Sequence, residues 1–430
     1  MLRALASTGL NRCRPKTAQR RDACTSRGTK ASPKFDLEPY LFSRVWDTDC
    51  AGARRTRDVG AFIMHMADAL LSPVIGGAMW LGSGAAIAAA SRHLRRRADD
   101  ALVPLMGMLG AFVFAAQMIN FSIPATGSSG HLGGALLLAI LLGPHAAFLV
   151  IASVLTVQAL FFADGGLLAL GANMFNLGVL PCFVAYPLVY RPLAGPAPTP
   201  RRSAVAAVCA AVVGLQLGAL GVVLQTVASG ISSLPLQGFL VVMLPIHAAI
   251  GVVEGLATAA LLLFLHRTRP ELLTAAPEIA APQRRPLLRR LALATLFTGG
   301  VLSWFSSTQP DGLEWSVARA AGTQALPAPR AGVHAALDEV QHRIAVLPGY
   351  SFPDALPAAF PAAFPAATPA PAPGFEAGPP KAPQSRLPPK PPAWPDVNRG
   401  TSLSGVLGGL VTVALVAAIG LGLRWRRRLN

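Results

Sequence analysis

Residues 237–265 read QGFLVVMLPIHAAIGVVEGLATAALLLFL, and Glu254 is the only residue of this run that carries a full charge. About 20 apolar residues in a helix, at about 1.5 Å per residue, cross the roughly 30 Å hydrocarbon core of a lipid bilayer. The run is therefore long enough for a transmembrane helix, and it decides the fold class.

The same kind of run recurs along the chain. Further apolar windows of spanning or nearly spanning length lie at 70–91, 101–121, 145–162, 167–189, 202–229, 287–304 and 402–423. Charged residues make up 13% of the chain, roughly half of the about 25% that is typical of soluble domains. The sequence therefore predicts an all-α polytopic membrane protein.

The net charge of +17 lies mostly outside these windows. Thirteen of the 37 Lys and Arg residues precede residue 64, and most of the others lie in short stretches between apolar windows. Basic loops of this kind orient a membrane protein, because they stay on the cytoplasmic side. The charge therefore predicts a topology and argues against a nucleic-acid partner.

The loop after the first window is predicted to be cytoplasmic, with the start of that window outside, because it contains Arg92, Arg95, Arg96 and Arg97. Further basic clusters, also predicted to lie inside, occur at 191–202, 267–290 and 424–428. All of these basic loops can lie on the cytoplasmic side only if residues 131–163 cross the membrane twice.

The break within that segment is predicted at Gly143-Pro144, since Pro lacks a backbone donor and restricts the residue before it. The first crossing, about 132–143, is then short, and such elements are tolerated at membrane depth only where protein surrounds them. It should therefore be buried in the bundle. The prediction is about nine transmembrane helices, with the N-terminus outside and the C-terminus inside.

Two segments differ in composition from the rest. Residues 1–63 are rich in Arg and lack the apolar stretch of a secretory signal peptide. They are interpreted as a transit-like or disordered arm, as an arm cleaved before Met64, or as an over-long gene model whose true start is Met64; the last is favoured. Residues 353–395 are dominated by Pro and Ala, which favours a semi-rigid outside linker over a binding tract.

The predicted topology places His65 and His131 on the same outer side. Neutral imidazole is the commonest side-chain metal ligand, although a histidine taken singly more often has a structural role. A chain that begins at Met64 also offers its terminal amine and the His65 amide nitrogen. With His131 this makes four nitrogens, which suit Ni(II), Cu(II) or Co(II) better than Mg(II) or Ca(II). Asp68 is predicted either to orient the His65 ring or to cap the first helix.

The stretch MHMADALLSP (64–73) resembles the mature start of the substrate-binding M component of cobalt/nickel energy-coupling-factor transporters. In that family an initial Met-His begins the protein and its amine binds the metal; the usual Ile-Pro and Gly-Phe around the Asp are Met66-Ala67 and Ala69-Leu70 here. The stretches GHLGG (130–134), DGG (164–166) and GANMFN (171–176) follow in the family's order. The resemblance covers roughly 64–266. It implies that the metal ligands are Met64, His65 and His131. It also implies a supporting role, around the ligands or in the loops, for Asp68, Ser129, Asn173 and Asn176.

A second resemblance follows residue 271. The window 287–304 leads into PDGLE (310–314), which is similar to the small N component of the same transporters, typically two spans joined by an outside segment. The chain thus resembles an M–N fusion, with seven spans over 64–270 and two over 271–430. The resemblance implies that Asp311 and Glu314 deliver or gate metal, and a structural role in an outside loop is the alternative.

His247 and Glu254 lie seven residues apart and hence on one helix face. A charged side chain at membrane depth costs roughly 2.5–3.5 kcal/mol, so Glu254 should face the bundle and find a partner. Buried hydrogen bonding between helices is the favoured interpretation. A proton or ion relay is the alternative, and it would make the chain a stand-alone secondary metal transporter or channel.

The sequence contains no GxxxxGK[ST], HExxH or GxSxG motif, so we expect a transport component and not an enzyme, with no intrinsic cofactor and with Ni(II) or Co(II) as substrate. The resemblance implies partner ATPase subunits, a transmembrane coupling subunit and a bacterial plasma membrane. Planar nitrogen coordination and the PDGLE segment favour nickel, while cobalt for cobalamin synthesis stays open. An intramembrane metalloenzyme using His65, His131 and Asp68 is a further alternative, which requires an open coordination position.

Overall fold

The computed structural model describes residues 65–97, 102–273, 281–322, 332–352 and 394–428. The Arg-rich extension 1–63, Met64 and the Pro/Ala-rich tract up to residue 393 lie outside the described residues.

Helices account for most of the described chain. Their bounds are α1 Pro73–Arg97, α2 Leu102–Gln117, α3 Ala135–Leu142, α4 Pro144–Phe162, α5 Leu170–Met174, a π-helix Phe175–Tyr190, α6 Arg191–Ala194, α7 Pro200–Ser229, α8 Leu236–Thr268, α9 Ala281–Gly300, α10 Gly312–Ala321, α11 Val333–Ile344 and α12 Arg399–Arg428. Two short strands, β1 Phe121–Ile123 and β2 Ser128–Gly130, form an antiparallel hairpin between α2 and α3.

Six helices in the described ranges are long and apolar enough to cross a membrane, namely Pro73–Arg96, Pro144–Phe162, Leu170–Ala194, Pro200–Ser229, Leu236–Thr268 and Arg399–Trp425. The prediction of a polytopic all-α membrane protein is confirmed. The remaining predicted crossings coincide with α2 of 16 residues, α3 of eight and α9 of 20, which begins with a basic stretch. The count of nine and the orientation stay predictions.

The predicted break at Gly143-Pro144 is confirmed. Gly143 has a φ of +79°, a region that favours glycine, and Pro144 is the first residue of α4. Seven of the eight residues of α3 are buried. The short element is therefore surrounded by protein, as its length requires at membrane depth.

The segment between α5 and α6 is a π-helix that contains Pro181 and Pro187. Proline cannot donate the backbone hydrogen bond of a regular α-helix, and the wider turns of the π-helix accommodate this loss. Asn173, at the start of this continuous helical segment, faces the site described below.

The C-terminal helices pack directly on the N-terminal bundle. Helix α12 contacts α2, α4 and α9. Gly408 lies against the Phe114 ring, and the backbones of Gly299 and Gly405 touch, since a Cβ on Gly405 would lie 2.5 Å from the Gly299 carbonyl oxygen. Small residues at these points let the helices approach closely, as is common between transmembrane helices. Because α9 and α12 pack there, the described residues between them contact loops of the first half of the chain, at Ser129 and at Leu71.

Candidate metal centre

His65 and His131 meet at one end of the bundle. Their ring centroids lie 5.4 Å apart, with the planes inclined at 64°. His65 is buried, and both rings line a cavity of about 80 Å³ that also borders His247, Glu254 and Asp311. The fold thus brings together the two histidines that the sequence analysis selected.

The loop that carries His65 is held by Asn173. The Asn173 side chain accepts a hydrogen bond from the Met66 amide at 3.0 Å and donates one to the Met66 carbonyl at 3.1 Å. The Gly166 amide also donates to this carbonyl, at 3.1 Å. Asn173 therefore fixes the backbone next to His65 and is not in a position that suggests direct ligation.

Asp68 lies in a single 3-10 turn, Asp68–Leu70, ahead of α1. Its Oδ1 accepts a hydrogen bond from the Ala169 amide at 2.8 Å. Asp68 thus supports the loop 164–169; it neither caps α1, which begins at Pro73, nor provides the carboxylate beside the His65 ring. The 3-10 turn after Ala67 is what directs the Asp68 side chain towards this loop.

The carboxylate beside His65 belongs to Asp164, which the sequence analysis named only as part of a motif. His65 Nδ1 lies 3.1 Å from Asp164 Oδ1, in a contact that is not aligned as an ideal hydrogen bond. Burial opposes ionisation of Asp164, but the adjacent His65 ring and the hydrogen bond from the Tyr350 hydroxyl outweigh it and lower the pKa of Asp164. The DGG stretch directly after a span was the available signal for this residue.

Gly165 and Gly166 permit this close approach. Gly165 has a φ of +82°, and a Cβ there would lie 2.9 Å from the His65 Cβ. A Cβ on Gly166 would overlap the Asp68 carboxylate. Only glycine therefore fits at positions 165 and 166.

His131 directly follows the β-hairpin formed by β1 and β2. Phe121 pairs with Gly130 and Ile123 with Ser128, so the backbone groups of this buried stretch are partly satisfied within the hairpin. Burial and the nearby His65 lower the pKa of His131 from 6.5 to about 3. The imidazole is therefore neutral at physiological pH, the form that binds metals.

Glu254 holds the residues that follow His131. Its carboxylate accepts hydrogen bonds from the Gly133 amide at 3.1 Å and the Gly134 amide at 2.9 Å. The prediction that Glu254 faces the bundle and finds a partner is confirmed. His247 is hydrogen-bonded separately, through Nδ1 to the Met243 carbonyl of its own helix at 2.8 Å.

Asn176 forms a reciprocal amide pair with Gln225 of α7, at 2.8 and 3.0 Å. This pair joins the π-helix to α7. Asn176 therefore supports the helices around the cavity and not the loop that carries His65.

Residues 306–315, which contain PDGLE and are called the cover segment below, lie along the hairpin. The Ser129 amide donates to the Pro310 carbonyl at 2.7 Å, and the Ser129 hydroxyl donates to the Gln309 carbonyl at 2.7 Å. Asp311 Oδ1 accepts from the Glu314 amide at 2.8 Å and so caps α10. Burial and the neighbouring Glu314 raise the pKa of Asp311 well above its ordinary value.

Gly312 brings the cover segment against α8. A Cβ at this position would lie 2.7 Å from Ile250 Cδ1 and 3.2 Å from His247 Cε1. The glycine of PDGLE is thus required by close packing against the wall of the cavity.

Both ring nitrogens of His65 are buried and have no well-aligned hydrogen-bond partner within the described ranges. An unsatisfied buried polar atom costs about 1–3 kcal/mol, and the binding of an ion is one of the standard explanations for such an atom. No group of three or more His, Cys, Asp or Glu side chains suited to a metal occurs among the residues described.

Comparison with known proteins identifies two matching family profiles. The profile described as cobalt uptake substrate-specific transmembrane region matches residues 65–272, and the PDGLE domain matches residues 285–425. A putative metal transport protein of Haloquadratum walsbyi is 36% identical over 49% of this chain and 93% of its own length.

Two fused proteins are also similar. A putative fused nickel transport protein of Archaeoglobus fulgidus is 39% identical over 49% of this chain and 68% of its own length. A fused nickel transport protein of Rhodobacter capsulatus is 34% identical over 51% of this chain and 67% of its own length.

Proposed function

The chain belongs to the cobalt uptake substrate-specific transmembrane family and carries a PDGLE domain after it, and from this we propose that it captures nickel or cobalt ions and passes them across the membrane. The capture component extends over 64–270, with seven spans, and the PDGLE component over 271–430, with two. Both lie in the plasma membrane of a bacterium.

His65 and His131 hold the metal, together with the amine and amide nitrogens of Met64 and His65. The observation that carries this proposal is the buried His65 ring, whose nitrogens have no aligned hydrogen-bond partner among the described residues, next to a neutral His131 on one cavity. Four nitrogen ligands suit Ni(II) or Co(II). The Met64 amine contributes only in a chain that starts at Met64.

The cover segment closes the outer side of this site. Its hydrogen bonds to Ser129 and the contact of Gly312 with α8 support a covering role. The Asp311 side chain accepts the hydrogen bond that caps α10. Asp311 therefore contributes to metal binding by shaping the cover segment, and it does not coordinate the ion.

Energy for transport comes from partner ATPase subunits, which act through a transmembrane coupling subunit. The sequence has no phosphate-binding loop of its own. The separate hydrogen bonds of His247 and Glu254 give no support to a relay between them, and the secondary-transporter alternative is therefore not favoured.

The test is metal binding by histidine variants of the purified, membrane-inserted chain. His65→Ala and His131→Ala should abolish binding of Ni(II) and Co(II) in calorimetric titrations, while the protein still inserts. His342→Ala is the matched control, because His342 is exposed on α11 and contacts Asp338. Full affinity in either site variant would show that the metal is bound elsewhere.

A further inference from the structure

Helix α11, Val333–Ile344, turns its apolar side chains outward and two of its polar side chains towards the protein. His334 and Gln341 are buried and donate hydrogen bonds to backbone carbonyls. The exposed apolar residues are Val333, Ala336, Val340 and Ile344. Since residues three and four apart share a helix face, these four form one stripe along the whole helix. A helix between a protein core and water has the opposite arrangement, with its apolar stripe towards the core.

A further sector of α11 is charged and exposed. It consists of Asp338, Glu339, His342 and Arg343, whose side chains are 62–76% exposed. In a helix of 3.6 residues per turn, Val340 and His342 point about 160° apart. The apolar stripe and the charged sector therefore lie on different sides of the helix. Helix α11 thus offers one side to the protein, one to an apolar medium and one to water.

Helix α11 lies across the ends of two membrane-spanning helices. His334 donates to the Leu71 carbonyl at 2.8 Å, just before α1 begins at Pro73. Gln341, about 10 Å further along the helix, donates to the Ala159 carbonyl at 2.9 Å in the last turn of α4. A helix that rests on the ends of two spans runs along the membrane surface.

Exposed aromatic residues occur at the same end of the bundle. Trp394, which precedes α12, is 68% exposed and packs edge-on against Phe305 at a centroid distance of 5.7 Å. Phe352 is exposed beside the start of α12, since a Cβ on Gly400 would lie 3.1 Å from its amide nitrogen. Val74, in the first turn of α1, is 79% exposed, so the apolar surface of the spans continues up to α11. Exposed Trp residues at the ends of spans are typical of the membrane–water interface.

We propose that α11 is an interfacial helix that inserts its stripe of Val333, Ala336, Val340 and Ile344 into the headgroup region of the lipid bilayer. Helices with separate apolar and charged sides lie in this plane, with the apolar side about 5–10 Å into the boundary between headgroups and acyl chains. The same helix contacts the loop before α1 and, through Gln341, the Gly165 carbonyl at 2.7 Å. The bilayer therefore helps to hold α11 against both loops next to His65.

Nitroxide labels on α11 test this inference in the full, metal-free chain. The five native cysteines are first replaced by Ser or Ala, and Val340→Cys is then labelled in vesicles of phosphatidylcholine and phosphatidylglycerol. Oxygen dissolves preferentially in hydrocarbon, whereas chromium oxalate stays in water. His342→Cys is the matched control, because both positions are exposed in the protein itself. The ratio of collisions with oxygen to collisions with chromium oxalate should be several-fold higher at position 340 than at position 342.

A label at position 340 that meets chromium oxalate as often as the label at position 342 would overturn the proposal, because the stripe would then face water. Low collision rates with both reagents at position 340 would also overturn it, since the stripe would then pack against a second copy of the chain. Ile344→Cys and Asp338→Cys repeat the comparison if a variant at position 340 or 342 fails to insert. No metal is present, so the outcome does not depend on whether His65 and His131 bind nickel.

Discussion

Replacement of Asn173 by Ala tests whether the loop that carries His65 has to be held for metal to bind. The change removes the only hydrogen-bond partner of the buried Met66 amide among the described residues. A buried amide left unsatisfied costs about 1–3 kcal/mol, and loss of one hydrogen bond costs about 1 kcal/mol more. The Met66 carbonyl keeps the Gly166 amide, so its own desolvation adds little.

The combined cost of about 2–4 kcal/mol corresponds to a factor of about 30 to several hundred in an equilibrium constant. Only molecules with an ordered loop hold His65 next to His131, so nickel affinity should fall in proportion to the fraction of ordered loops. We therefore expect a loss of affinity by up to that factor. Calorimetric titration of the detergent-solubilised or nanodisc-embedded protein measures it.

Asn176→Ala is the matched control for this prediction. It removes a buried Asn that also makes two hydrogen bonds, but its partner is Gln225 on α7. Both variants should lower the temperature of unfolding, while only Asn173→Ala should weaken metal binding strongly. Equal affinities in Asn173→Ala and the unchanged chain would refute the argument that this loop is fixed through Met66.

Three further predictions concern the surroundings of the site. Glu254→Gln leaves one of the Gly133 and Gly134 amides without an acceptor, so nickel affinity should fall about 10-fold in titrations; unchanged binding with loss of transport would favour an ion-relay role instead. Gly312→Ala forces a Cβ against Ile250 and should speed nickel dissociation several-fold in a chelator chase, whereas Gly300→Ala, whose Cβ meets nothing within 4 Å, should not. The pKa of His131 is about 3 in the folded chain and 6.5 when unperturbed, so between these pH values the imidazole is protonated only in the unfolded chain. The metal-free protein should therefore lose thermal stability as the pH falls from 6.5 towards 3. His131→Gln should lose less stability over that range.

The helices were predictable because their signal is local. The apolar run over 237–265 lies within α8, Leu236–Thr268, and the pattern at Gly143-Pro144 located the break between α3 and α4. Length, hydropathy and the missing donor of proline act within a few residues, so the sequence carries them directly.

The partner of His65 was not predictable in the same way. Asp68, three residues away in sequence, was the expected carboxylate, but a single 3-10 turn directs it to the Ala169 amide. Asp164 reaches the ring only because Gly165 and Gly166 let two distant loops touch. Contacts of this kind depend on tertiary packing and leave no periodic pattern in either segment.

The contact of Tyr350 with Asp164 could not be predicted for the same reason. It depends on a left-handed backbone conformation and on the aromatic stack with Phe162, and neither leaves a pattern in the sequence. The β-hairpin before His131 likewise pairs backbone groups that are buried there, and the sequence did not predict it.

The coordination of bound nickel tests the central claim most directly. X-ray absorption of a nickel-loaded chain that starts at Met64 should give a four-coordinate, all-nitrogen site with scattering from two imidazole rings, and this spectrum should be absent from His131→Ala because that variant does not bind nickel. A six-coordinate, oxygen-dominated site, or a nickel spectrum unchanged by that substitution, would contradict the assignment of His65 and His131 as metal ligands.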